Sequence, residues 1–197
     1  MIYTGSIVSG DTWADFEKRF VGVDSVSPAD NWNSNEGTYG NMGQFLKLKQ
    51  AGKDFAFMIS IGGWTWSKYF SDAVSTPSTR QNLANNIVVL MKKYPFINGV
   101  SIDWEYLSND GINHGNGGNS ARKEDDDNFV SFLELFKTEL AKNGLIGKRI
   151  AMCAVAAPEK MRFNIARLGR LLDQLDVMTY DFHGILRISS VLRCGIY

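Results

Sequence analysis

The stretch NGVSIDWEYL, residues 98–107, sets polar side chains at every second position, Ser101, Asp103 and Glu105, with Val100, Ile102 and Trp104 in register between them. Residues two apart on a strand share a face, so one face here is apolar and the other carries two carboxylates. The apolar set needs a covering layer. The polar set needs a place where charge has a use, and what flanks the stretch on either side decides which architecture supplies both.

Short apolar runs alternate with segments of helical period. DFAFMISIGG (54–63) reads as a strand, and RQNLANNIVVLMKKY (80–94) follows with Leu83, Ile87, Leu90, Met91 and Tyr94 on one stripe before Pro95 stops it. INGVSID (97–103) is the next strand. A Gly- and Asn-rich segment leads to a helix predicted from about Asp125 to Asn143, with Phe129, Phe132, Leu133, Phe136 and Leu140 on its apolar side and Gly144 as its stop. RIAMCAVAAP (149–158) and LDVMTYD (175–181) are two further strands, with the helical NIARLGRLLDQ between them. A fifth strand is expected near GSIVS.

This β-α-β-α rhythm predicts an α/β fold with a parallel sheet covered by helices. Neither GxGxxG nor GxxxxGK[ST] occurs, so the nucleotide-binding open sheets lose their main support and a (β/α)8 TIM-type barrel leads. A complete barrel of this kind takes about 250 residues. At 197 residues the chain is expected to hold an incomplete one, with first and last strands missing. In that barrel the polar ladder of Ser101, Asp103 and Glu105 rises toward the C-terminal rim, where catalytic residues of this architecture sit.

Composition narrows the function classes. Lys plus Arg and Asp plus Glu both number 21, no basic run tracks a phosphate backbone, and nucleic acid is not expected as a partner. Apolar runs fall far short of the roughly 20 residues of a membrane helix. The first residues, MIYTGSIVSGDTW, lack the charged start and apolar core of a signal peptide. Cys153 and Cys194 have no metal-site spacing, and with only His114 and His183 no zinc site or Ser-His-Asp triad is expected; Cys153 reads as a buried, inert thiol. The acidic run KEDDD (123–127) reads as the negatively charged start of a helix rather than a metal site.

Two carboxylates about 6.5–7 Å apart at Cα, partly withdrawn from water, resist simultaneous ionisation. One is expected to hold its proton to higher pH, as a general acid must, and Glu105, nearest the rim, is the candidate. The residues alone suggest acid–base work without naming a substrate.

Three motifs together resemble those of glycoside hydrolase family 18, the chitinases. NGVSIDWE is similar to the family's DGxDxDxE at Gly99, Asp103 and Glu105; SIGG, Ser60 to Gly63, to its SxGG; and MTYD, Met178 to Asp181, to its MxYD. The likeness runs from GDTWADFEKRF to DFHG. It implies a retaining, substrate-assisted glycosidase in which Glu105 is the proton donor, Asp103 steadies the substrate's acetamido group, and Tyr180 hydrogen-bonds the acetyl oxygen. Asp181, Met178, Ser101, Gly62 and Gly63 would line the sugar site, and Trp64 would offer a ring face. Chitin or chito-oligosaccharides would be the partner, no cofactor or metal is implied, and an extracellular monomer is expected.

Two departures stand out. Asn98 and Ser101 occupy positions where the family has aspartates, so Asp103 lacks the neighbour that would share its proton, and a shifted pH profile is expected. The end, ILRISSVLRCGIY (185–197), resembles nothing in the family, so residues 1–184 are expected to be a partial catalytic domain and 185–197 an atypical, non-native tail. A non-catalytic carbohydrate-binding relative, an inactive gene fragment and an endo-β-N-acetylglucosaminidase remain open alternatives.

Overall fold

The computed structural model describes residues 2–4, 7–9, 12–33, 39–107, 121–155 and 163–180. Its centre is a parallel sheet of four strands, β3 (Met58–Gly62), β4 (Gly99–Asp103), β5 (Arg149–Val155) and β6 (Gln174–Met178), each paired with its neighbour in sequence. Register follows from the apolar pattern: Ile61 lies beside Ile102, and Ile102 beside Met152. Helices α4 (Pro77–Lys93), α5 (Asp125–Lys142) and α6 (Ile165–Leu168) fill the three crossovers, the repeating unit of a TIM-type barrel. The described strands make up half of such a ring.

The start differs from expectation. The run near GSIVS does form a strand, β2 (Ile7–Ser9), but it pairs antiparallel with β1 (Ile2–Thr4) in a hairpin separate from the parallel sheet. Two helices that the periodicity did not announce follow, α1 (Thr12–Phe16) and α2 (Gly40–Gln50). The strand expected over 54–63 begins only at Met58, and α6 is a single turn rather than the longer helix that NIARLGRLLDQ suggested.

One face of the sheet and the helices make the core. Ile61, Val100, Ile102, Ile150 and Met152 point into it from the strands; α4 contributes Leu83, Ile87, Val88, Leu90 and Met91, and α5 contributes Phe129, Phe132, Leu133 and Phe136. Trp104 joins this layer, stacked on Phe70 at 5.2 Å and edge-on to Phe129 at 5.8 Å. Each such side chain adds about 1.5–3 kcal/mol by leaving water.

Local chemistry sets the helix ends. Thr76 and Thr79 form a reciprocal capping box before α4, with Pro77 as the first helical residue. At the end of α5, the Gly144 amide donates to Ala141 O and the Leu145 amide to Leu140 O, with Gly144 at φ +71°, the conformation a glycine adopts without penalty. A short α3 (Phe70–Val74) precedes α4. Its Ser71 donates to Asp125 Oδ1, the first residue of α5; Arg122 donates to Ser71 Oγ and Asp72 Oδ1, and its amide to Asp125 Oδ2. Asp125 is therefore fully buried yet satisfied, and burial pushes its carboxyl above the ordinary range. The negative start of α5 has a structural partner set besides the helix dipole.

Candidate functional site

The site lies where β3 and β4 end. Gly62 pairs with Asp103 across the two strands, and the Gly63 amide donates to Asp103 O at 2.7 Å. Both glycines have positive φ, +115° and +92°. A Cβ on Gly62 would stand 2.2 Å from Asp103 O and 2.6 Å from the Phe70 ring, so only glycine lets the strands close here. The chain then turns into Trp64, Thr65 and Trp66, all exposed, and returns at Ser67, which is buried. Trp64 leans on Tyr106 with ring centroids 6.0 Å apart and stays 44% exposed.

Alternation along β4 holds as the sequence predicted. Val100, Ile102 and Trp104 are buried in the helix layer, Ser101 is buried on the other face, and Asp103 and Glu105 are half-buried at the strand's end. Asp103 Oδ1 is buried without a hydrogen-bond partner. Burial is the main cause that raises the Asp103 carboxyl above its ordinary 3.8, offset in part by the Cys153 thiol. Loss of solvation thus holds Asp103 toward its protonated form.

Below Asp103 is a cluster that sequence reasoning had not assembled. Ser101 Oγ stands 3.5 Å from Cys153 Sγ on β5 and donates to Asp176 Oδ2 on β6, also at 3.5 Å. Cys153 is half-buried on this face rather than in the core, and burial together with the Asp103 and Asp176 charges pushes its thiol to about 11. Burial first, and the neighbouring charges second, thus hold the thiol protonated near neutrality. Asp176 was overlooked, although its spacing gave the signal: Asp176, Met178 and Tyr180 repeat the every-second-residue pattern of Ser101, Asp103 and Glu105.

Asn98 has no part in the cluster. Its Oδ1 accepts from the Phe57 amide and its own amide donates to Phe57 O, while its carbonyl takes the Arg149 amide. It ties together the beginnings of β3, β4 and β5. Met178 closes β6 with its side chain almost wholly buried, and Tyr180, two residues on, is largely exposed. Both stand at the same end of the sheet as Asp103, separated from β4 by β5. Asp181, His114, His183, Cys194 and the tail 185–197 lie outside the described residues. Among the described residues no cluster of His, Cys, Asp and Glu is arranged to hold a metal, and no helix is long and apolar enough to cross a membrane.

A carboxyl pair at the end of a parallel strand, glycines forced by close approach, and aromatic faces beside them are matched by residues 3–193 fitting the family described as Glycosyl hydrolases family 18. The chain belongs to glycoside hydrolase family 18. Its relatives in that family include a chitinase of Niallia circulans, 35% identical over 91% of this chain and 24% of the relative, and an endochitinase of Metarhizium anisopliae, 34% identical over 98% and 42%. Among solved structures, a chitinase of Bacillus thuringiensis superposes with a TM-score of 0.77 at 30% identity, covering 93% of this chain and 29% of that one. The catalytic domain of a psychrophilic chitinase from Arthrobacter superposes at 0.71, also 30% identical, over 89% and 45%. The family members agree with the TIM-type fold. The chain spans a quarter to somewhat over two fifths of the length of these relatives.

Proposed function

We propose that this chain carries the acid–base half of a chitinase site and hydrolyses β-1,4-linked N-acetylglucosamine polymers with retention. The observation that carries the reading is at the end of β4: a partly desolvated Asp103 with an unpartnered buried oxygen, followed two residues later, past the strand, by the half-buried Glu105. Two carboxyls only two residues apart in the chain do not flank a sugar ring from opposite sides, as ordinary retaining pairs do at about 5–5.5 Å. The nucleophile therefore comes from the substrate. Glu105 gives its proton to the glycosidic oxygen while the acetamido oxygen of the sugar being cleaved attacks that sugar's own C1, and the C1–O bond to the leaving sugar breaks to leave a cyclic oxazolinium ion. Water, deprotonated by the same Glu105, then opens the ring with net retention.

Asp103 accepts the acetamido N–H as positive charge grows there, and its orphaned Oδ1 is an acceptor awaiting a donor. Tyr180, with Asp181 beside it in sequence, would hydrogen-bond the acetyl oxygen. Met178, Ser101, Gly62 and Gly63 would shape the floor, and Trp64 would stack on a sugar. The likeness to named chitinases supports chitin as the substrate class. An insoluble polymer is met outside the cell, so extracellular action of a monomer belongs to the same proposal. So do the boundaries, a partial catalytic domain over 1–184 and a foreign tail over 185–197, though the family match itself runs to residue 193.

The test is turnover of a fluorogenic chitobioside by wild type and by Glu105→Gln. Release by wild type, lost in the variant, is expected. Equal rates end the catalytic reading, and binding of chito-oligosaccharide without turnover would favour a carbohydrate-binding relative.

A further inference from the structure

Beyond Asp103 the β-ladder has no neighbour to continue it, because the chain after Gly62 turns away through Gly63 and Trp64. The Glu105 amide lies two residues past the end of β4, outside the strand pairing. It donates instead to the side chain of Ser67, at 2.8 Å. The same hydroxyl lies 2.8 Å from Gly63 O and 3.1 Å from Asp103 O and shares its one proton between these carbonyls. One buried oxygen, 1% exposed, thus holds the backbone on both sides of Trp104, between Asp103 and Glu105, and the glycine turn that faces it.

We propose that Ser67 is the positioning residue for Glu105, standing in for the strand that the ladder lacks and fixing the height of the acid relative to Asp103. This rests on the catalytic reading above and deepens it. Ser67 does not meet solvent, so it acts on substrate only through the backbone it holds. Without the hydroxyl the Glu105 amide loses this acceptor, and the segment it holds can shift. A displacement near 1 Å in a catalytic group costs on the order of a hundredfold in rate.

Ser67→Ala is therefore expected to lower kcat about ten- to a hundredfold while KM stays near that of wild type. Ser71→Ala serves as the comparison, since Ser71 is equally buried but bonds Asp125 and Arg122 away from the pair. It should lose thermal stability and keep kcat. In parallel, amide hydrogen exchange of Glu105 should quicken at least tenfold in Ser67→Ala relative to wild type and be unchanged in Ser71→Ala. Equal kcat in wild type and Ser67→Ala, a loss confined to KM, or unaltered Glu105 exchange overturns the proposal. Absence of turnover in wild type itself defeats the catalytic reading instead, and the exchange comparison still decides whether Ser67 holds the Glu105 amide.

Discussion

Asp103→Asn should make the protein more stable near neutral pH while abolishing the proposed chemistry. Asp103 is half-buried, one of its oxygens has no donor, and burial is the largest cause of its raised pKa. Withdrawing a charge from water costs more than withdrawing a neutral amide, and partial exposure keeps that difference small for Asp103, on the order of 1 kcal/mol. Asparagine keeps the shape and removes the charge. The expected gain is about 1 kcal/mol, or roughly 2–4 °C in Tm for a chain of this size.

The pH dependence gives the sharper check. Because the folded carboxyl titrates above its ordinary 3.8, the unfolded chain releases the proton first as pH rises, and ionisation then works against folding. Wild type therefore loses this increment of stability as pH rises through the window between 3.8 and the raised folded value. The variant does not. Thermal melts of the two proteins should differ most near neutrality and converge as pH falls through that window. A variant less stable than wild type at neutral pH, or a gap that does not change with pH, would refute the reasoning.

Two further outcomes follow from the same face. Ser101→Asp places a carboxylate among Asp103, Asp176 and Cys153, so Asp103 should be raised further and the limb of the pH–rate curve that reports it should move to higher pH; an unchanged curve would count against the link. Gly62→Ala forces a Cβ to 2.2 Å from Asp103 O at φ +115°, and should cost about 3 kcal/mol or more; urea unfolding with an unaltered midpoint would show that the strands can part without loss.

The layers were legible where one period ruled a segment. Strands β4 and β5 and helices α4 and α5 send most of their apolar residues into one core, and β6 adds Leu175 at its edge, so packing agrees with pattern. Helix α2 was not legible, because GNMGQFLKLKQ mixes two glycines with lysines and buries only Gly40, Met42 and Gly43. Residues 54–57 read as strand, yet Phe57 is served by the side chain of Asn98 instead of a ladder. At the site, residues with unusual chemistry for their position were found, namely Asp103, Glu105 and the paired glycines. Ser67 gave no signal, since a serine announces its partners only in three dimensions, and Asp176 gave one that the MTYD motif beside it obscured.

After β4 ends at Asp103, Leu107 is sealed in the core, and Arg122, just before α5, is moored to Ser71, Asp72 and Asp125. Two helices far apart in the sequence, α3 and α5, are thus joined through one buried serine hydroxyl. Evolution can exchange Ser71, Arg122 or Asp125 only as a set, because changing one leaves a charge or a donor stranded in the interior.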